Sequence, residues 1–390
     1  MPPPRTEKRG DGAVPASTKN VRFLARSEDP GHGGGMQLLP HGGFIYMGHL
    51  APGGGTTIFD VRDPRRPRIA GHLAGYPGTY SPKVQVGDGL LLVNYEQRDK
   101  RATRTGFALL DLARPEAPRE VGFFDTGGRG VHRMWYTGGR YADVSAVAAG
   151  FRDRMLLIVD VSDPGRPALA GRWWLPGVKD DEPRQDAGGL HFNLHHAVVE
   201  GTRAYMGCWD YGLVILDVAD PARPRQIGEA RGWTPAEGGN THTVLPLLGR
   251  GLLAVTDESV ADPGKEPPKY VRIFELGDGS HPRELSRCPV PDLPPELRRG
   301  RIGPHNLHEN LPGSMRRQDR IFVSHFAAGF RAYDIGDPAH PAEVAHYQPD
   351  PFPDQPVVQT NDLYVGADGI VYLSDRLSGC LDVVELGQLG

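Results

Sequence analysis

The chain has 390 residues, of which 52 are glycine and 37 proline, so nearly a quarter of it consists of residues that interrupt helices. A hydrophobic share of 38% with a net charge of only −4 excludes disorder throughout, and 44 Lys and Arg against 48 Asp and Glu give no surplus for binding nucleic acid. No apolar run approaches the ~20 residues that span a bilayer, and Cys208, Cys288 and Cys380 are scattered as expected in a reducing compartment. These features predict a soluble, cytoplasmic protein built of many short strands.

Residues 1–19 have no apolar core and are expected to form a loose, disordered tail. From residue 20 onward one phrase recurs. It reads TTIFDVRDPRRP at 56–67, GFALLDLARPEAP at 106–118 and MLLIVDVSDPGRP at 155–167. It returns as GLVILDVADPARP at 212–224, YVRIFELGDGSHP at 270–282 and GFRAYDIGDPAHP at 329–341, and a truncated copy, GCLDVVELG, closes the chain at 379–387. The copies lie roughly 54 residues apart, a repeat-protein spacing.

Upstream of each copy a short β-rich stretch follows a Gly turn, as in GGFIYMGH, DGLLLVNY and DGIVYLSD. One unit therefore reads as strand, Gly turn, strand, loop, apolar strand, Asp-Pro turn and a final amphipathic strand. Pro ends the strand because it has no N–H for the ladder, and the Asp can bond the turn backbone. Four strands per unit is the arithmetic of a propeller blade. The expected fold is all-β, a single seven-bladed β-propeller over residues 20–390. The last unit stops after its third strand, so NVRFLARSEDP at 20–30 is expected to supply the missing outer strand and close the ring.

LLIVDVSDP and LVILDVADP resemble the LVIVD repeat, a propeller-forming family. The resemblance covers about residues 20–390 and implies the fold, while propellers host binding modules and enzymes alike.

Stacking the units brings out the histidines. His132 in RGVHRMW, His195 in FNLHHAVV, His242 in GNTHTVL and His308 in PHNLHEN begin the inner strands of four consecutive blades when NLHE is laid on NLHH. Inner strands line a propeller's channel, so these four imidazoles are expected to converge at one mouth of it. Four polar rings crowded together favour a shared transition metal; the competing reading is packing, with each His bonding the neighbouring blade's backbone. His191, His196 and His305 flank the proposed ligands, either as loop residues or as groups supporting the ligands.

Asp362 occupies the corresponding place in blade seven and is expected to face the axis, as a fifth ligand, a general base or a partner for a ligand N–H. Glu309 is expected to orient a ligand or face solvent, and Arg133 to bind an anionic group of the substrate near the mouth. Mg and Ca prefer oxygen ligands, so the set points to Fe(II), with Zn, Mn and Cu as alternatives. A four-His iron on a propeller axis resembles, in layout only, the carotenoid- and stilbene-cleaving oxygenases and the selenium-binding proteins. That layout implies a dioxygenase-type oxidoreductase. A metal-dependent lyase or hydrolase, for which the propeller-type streptogramin lyases are a precedent, and a non-catalytic binding propeller remain alternatives. The Pro-rich inter-blade segments carry Trp173, Trp174, Phe192, Trp233 and Phe352, which suggests an apolar or aromatic small-molecule substrate.

Overall fold

The computed structural model describes residues 17–185, 190–231, 239–262, 265–351, 355 and 357–389. Regular structure among them is strand, apart from two short 3-10 segments, Leu248–Arg250 and Pro295–Leu297, and no helix is long and apolar enough to cross a membrane.

The strands form antiparallel units that follow the sequence repeat. Blade one holds Gly35–His41, Phe44–His49, Thr56–Asp60 and Arg68–Leu73, and blade two Val84–Gly87, Leu90–Gln97, Gly106–Asp111 and Arg119–Asp125. Blade three holds Gly130–Trp135, Tyr141–Val147, Met155–Asp160 and Ala168–Trp173, and blade four His196–Glu200, Arg203–Gly207, Leu213–Asp217 and Arg225–Ala230. Blade five consists of Thr241–Leu247, Leu252–Asp257, Val271–Glu275 and Arg283–Arg287. Blade six has Arg320–Ser324, Phe330–Asp334 and Ala342–Gln348, with Leu307 bridged to Val323 at the innermost position. Blade seven has Thr360–Val365, Ile370–Asp375 and Leu381–Leu386. The inner strands of blades seven, one, two, three, four and five touch in that order, Arg320–Ser324 of blade six touches the inner strand of blade seven, and Ser259 N–H of blade five donates to the Pro304 carbonyl of blade six at 3.3 Å, so the units close around an axis.

Each repeat feature has a physical role. The apolar third strands are the buried centre of each blade: Leu156, Ile158, Leu213 and Ile215 are at most 2% exposed. The first Asp of each Asp-Pro phrase accepts a backbone N–H two residues on, as Asp160 does from Ser162 at 3.0 Å and Asp217 from Ala219 at 3.0 Å. The second Asp repeats the motif, Asp163 with Gly165 and Asp220 with Ala222. A bulge then displaces the outer strand, at Ile158/Val159 in blade three and Ile215/Leu216 in blade four. Gly171 follows that bulge, where a Cβ would overlap the carbonyl of Pro221 in the next blade's turn. Blade five has Ser286 there instead, and its hydroxyl donates to the Pro338 carbonyl at 2.6 Å.

The N-terminal strand closes the ring as the repeat count requires. Val21–Arg26 pairs with Leu381–Leu386, from Val21↔Leu386 to Arg26↔Asp382. Arg26 donates twice to the Asp382 carboxylate, at 2.5 and 2.8 Å, and Tyr347 of blade six donates to the same carboxylate at 3.0 Å. Ser17–Lys19, within the segment expected to be a loose tail, instead pairs with Ala342–Gln348 and adds an outer strand to blade six. The chain start therefore binds two blades rather than one. Residues 1–16, the rest of the expected tail, lie outside the described residues, as do Trp233 and Phe352.

Candidate metal centre

A bulge at the start of the inner strand aims one side chain per blade at the axis. In blade three Val131 pairs with Ala146 and Arg133 with Ser145, which leaves His132 out of the ladder. Blade five does the same around His242, between Thr241↔Asp257 and Thr243↔Thr256. Blade seven bulges at Asn361, between Thr360↔Asp375 and Asp362↔Ser374. In blade four the N–H of His195 donates to the Gly207 carbonyl at 2.8 Å, and in blade six the N–H of His305 donates to the Ser324 carbonyl at 2.8 Å. The equivalent positions are therefore His132, His195, His242, His305 and Asn361.

The rings form a continuous arc. His132 Nε2 lies 3.0 Å from His195 Nε2, the ring centres of His195 and His242 are 3.7 Å apart, and those of His242 and His305 are 4.5 Å apart. Glu258 completes the group, with carboxylate oxygens 3.9 Å from His242 Nε2 and 3.8 Å from His305 Nε2. Ligand atoms of His195, His242 and Glu258 lie within 4.8 Å of one another.

The other ring nitrogens fix the tautomers. His132 Nδ1 donates to Glu96 Oε2 at 2.7 Å, His195 Nδ1 to the His242 carbonyl at 3.2 Å, and His305 Nδ1 to the Asn361 carbonyl at 2.6 Å. In a neutral ring the proton on Nδ1 leaves a lone pair on Nε2. His132 and His195 thus aim two lone pairs at each other across 3.0 Å, and His242 Nε2 is buried without a hydrogen-bond partner. Burial holds all four rings neutral: it pushes His132 down to about 4, with Arg154 adding to the effect and Glu96 opposing it. His195, His242 and His305 are pushed well below the ordinary histidine range, again chiefly by burial. Burial alone would raise Glu96, but His132 and Arg154 hold its carboxyl down at about 2. Burial raises Glu258.

Among the described residues only His195, His242 and Glu258 bring ligand atoms within 4.8 Å of one another, a nitrogen and carboxylate set that suits a transition metal, with His132 and His305 at the two ends of the arc. Two imidazole nitrogens each about 2.1 Å from one ion stand roughly 3 to 3.4 Å apart, which is the His132–His195 spacing. A cation bound among them would remove the lone-pair repulsion between His132 and His195 and would satisfy the orphaned His242 nitrogen. His132 keeps 17% of its side chain exposed, so the mouth is open to solvent.

The remaining expected site residues lie elsewhere. His308 is three residues beyond the axial position: its Nε2 donates to the Met315 carbonyl at 3.1 Å and its Nδ1 accepts from Val365 N–H at 3.3 Å. Both nitrogens are occupied between blades six and seven, so His308 does not join the axial imidazoles. Arg133 is not at the mouth; it is buried one layer deeper, donating to Glu309 Oε1 at 2.6 Å and to Asn306 Oδ1 at 2.9 Å. Glu309 also accepts from His196 Nε2 at 2.8 Å, so it neither faces solvent nor touches an axial imidazole. Asp362 belongs to this deeper layer too, its Oδ2 accepting Leu38 N–H at 3.2 Å. Burial raises its carboxyl to about 6, against the pull of Arg133 and Lys83. Below that layer Leu39, Trp135, Val198, Leu311 and Tyr364 belong to one buried apolar cluster. His191 is exposed and its backbone N–H donates to Asp210.

Glu96, Glu258 and Trp209 were missed from sequence. Each stands at or just past the end of a blade's second strand, which is antiparallel to the inner strand and so returns to the same mouth. Trp209 stacks on His195 at 5.6 Å.

The LVIVD repeat family matches residues 148–173 and 196–230, which are the third and fourth strands of blade three and the body of blade four. No curated protein matches the chain. Among solved structures it is similar to the β-propeller domain of Cps50 (Swd1) from Myceliophteria thermophila, at 13% identity and a TM-score of 0.58 over 94% of this chain and 99% of that one. The N-terminal domain of Nup159 aligns at 12% identity and a TM-score of 0.56, covering 97% and 98%. Sqt1 of Saccharomyces cerevisiae aligns at 10% identity and a TM-score of 0.51, covering 95% and 97%. At these identities the likeness establishes the fold, an all-β propeller.

Proposed function

We propose that His132, His195, His242 and His305 bind one divalent transition metal, Fe(II) foremost, and that the protein is a metal-dependent oxidoreductase of the dioxygenase type. The observation that carries this reading is the buried, unpartnered His242 Nε2 in a group whose ligand atoms, from His195, His242 and Glu258, lie within 4.8 Å of one another, with His132 Nε2 3.0 Å from His195 Nε2. Four neutral nitrogens suit iron, copper or zinc better than magnesium or calcium, and an iron held this way supplies open positions for O₂. The chain's own contribution is to hold three of the rings, His132, His195 and His305, in one tautomer, with Glu96 and two backbone carbonyls as the acceptors, while His242 Nδ1 meets the Thr243 hydroxyl at 2.8 Å.

The substrate side is supported by a cavity of about 520 Å³, within the usual range for small-molecule sites, whose lining includes Ser259, next in the chain to Glu258. Pro267, Pro268, Val290, Leu293 and Ile302 line it, and Ser259 and Ile302 join it to the neighbours Glu258 and Arg301. The apolar walls are proline and aliphatic rather than aromatic, and Asp262, Glu266, Lys269, Asp292 and Arg298 share the lining.

Glu258 supports a second reading, a metal-dependent hydrolase or lyase, because it is a buried carboxylate with a raised pKa beside two of the imidazoles. Elemental analysis of freshly purified protein, followed by oxygen uptake of the loaded protein with aromatic and apolar substrates, separates the readings. Stoichiometric iron with substrate-dependent oxygen uptake supports the oxygenase. Bound metal with turnover but no oxygen uptake supports the second reading. A metal-free protein with no turnover supports a non-catalytic binding propeller.

A further inference from the structure

Arg154 immediately precedes the third strand of blade three, Met155–Asp160. Its Nη1 is buried and has no hydrogen-bond partner, a costly state for a donor on a cation. The guanidinium carbon lies 6.0 Å from the Trp209 ring centre, and Trp209 in turn stacks on His195. The Arg154 carbonyl accepts the N–H of Leu194, the residue before His195, at 3.2 Å, and its positive charge bears on His132, His195 and Glu96, so Arg154 stands beside the imidazole arc.

The other guanidiniums near the centre are occupied. Arg301 Nη1 donates to Glu258 Oε1 at 3.2 Å, and Arg376 Nη1 to Asn361 Oδ1 at 3.0 Å. Arg133, which the sequence suggested for anion binding, is engaged by Glu309 and Asn306 in the deeper layer. Three guanidiniums near the centre thus face two carboxylates, Glu96 and Glu258, and a divalent ion would add two further positive charges. The centre lacks an anion, and a planar guanidinium beside an apolar ring matches a carboxylate on an apolar body.

We infer that the substrate of this centre is a small apolar or aromatic carboxylic acid, its carboxylate held by Arg154 and its body lying against Trp209. The inference rests on the metal-centre reading and names that site's substrate class. Neutral hydrocarbons and alcohols would leave the buried Arg154 donor unpaired and so bind more weakly.

Calorimetric titration with 3-phenylpropanoate and with 3-phenylpropanamide, which differ in charge but scarcely in shape, tests it on both metal-loaded and metal-free protein. The expected result is that the acid binds at least about tenfold more tightly than the amide. Arg154→Gln should remove that preference while leaving amide binding and metal content unchanged, and Arg154→Lys should restore part of it. Equal affinity for acid and amide, absence of acid binding, or an Arg154→Gln variant that retains the preference would overturn it. Failure of the metal-centre reading is seen separately, as background metal in the wild type, and the acid–amide comparison on metal-free protein still decides the anion site.

Discussion

His132 of blade three donates its Nδ1 proton to Glu96 of blade two across 2.7 Å, and the carboxylate is held in turn by the Tyr80 hydroxyl, also at 2.7 Å. The pair fixes which nitrogen of His132 faces the axis. Glu96→Gln preserves shape but removes the charge that favours the Nδ1–H tautomer. Metal affinity should fall by about 10- to 100-fold with the fold unchanged, read by competition with a chromophoric chelator. An unchanged affinity would show that Glu96 is irrelevant to the centre.

The axial histidine of blade six is His305, so His305→Ala should abolish stoichiometric metal while His308→Ala retains it. The second variant should instead lose about 1–3 kcal/mol of stability, because Val365 N–H and the Met315 carbonyl both lose their partner. Metal analysis and urea unfolding on the two variants check this. Loss of metal in His308→Ala alone would reverse the assignment.

Arg133, Glu309 and His196 form a buried charged group beneath the centre, with Arg133 and Glu309 at most 5% exposed. Removing one partner leaves an uncompensated buried charge, so Arg133→Met should cost about 3–5 kcal/mol. Metal binding should survive in whatever fraction folds, and unfolding midpoints together with metal content test both parts.

Acid should destabilise the metal-free protein from a definite pH. Burial lowers His132, His196 and His308 to about 4 in the folded chain, against roughly 6.5 when unfolded. Between those values the unfolded chain binds more protons, so stability is present above about pH 6.5 and is lost as pH falls toward about 4. Glu96 and Glu309, held at about 2 by the cations beside them although burial opposes it, extend the loss below about pH 4. Asp362 and Asp143, raised by burial to about 6 and about 7, act in the opposite direction but are outweighed by the histidines, so urea midpoints from about pH 7.5 to about pH 4.5 should fall, and a flat profile would contradict the assignment.

Ring closure gives a graded response to truncation. A chain beginning at residue 20 lacks only the added strand of blade six and should unfold cooperatively at a somewhat lower temperature. One beginning at residue 28 also lacks the strand paired with Leu381–Leu386 and the Arg26–Asp382 contact, and should aggregate. Calorimetry and size-exclusion chromatography distinguish the two, and similar behaviour of both would refute the closure.

The blades were legible because each Asp-Pro turn marks the end of a third strand, and the orphan strand at 20–30 followed from a truncated last unit. Three of the four axial histidines were legible for the same reason. His305 was not, because matching letters, NLHE on NLHH, outweighed the register of the strand. The pattern that locates it is an axial residue, then a polar residue, then an apolar one: His132-Arg133-Met134, His195-His196-Ala197, His242-Thr243-Val244, His305-Asn306-Leu307. The same pattern gives Asn361-Asp362-Leu363, which moves Asp362 out of the axial position. Glu96 and Glu258 escaped because they come from the neighbouring second strand, and only the pairing register brings them to the mouth.

A crystal structure of the iron- or zinc-loaded protein, with anomalous scattering recorded at the metal edge, tests the central claim most directly. One strong anomalous peak is expected about 2.1 Å from the Nε2 atoms of His132, His195, His242 and His305, with Glu96 still on His132. A map without a peak among these four nitrogens, or with the metal bound through His308, would contradict it.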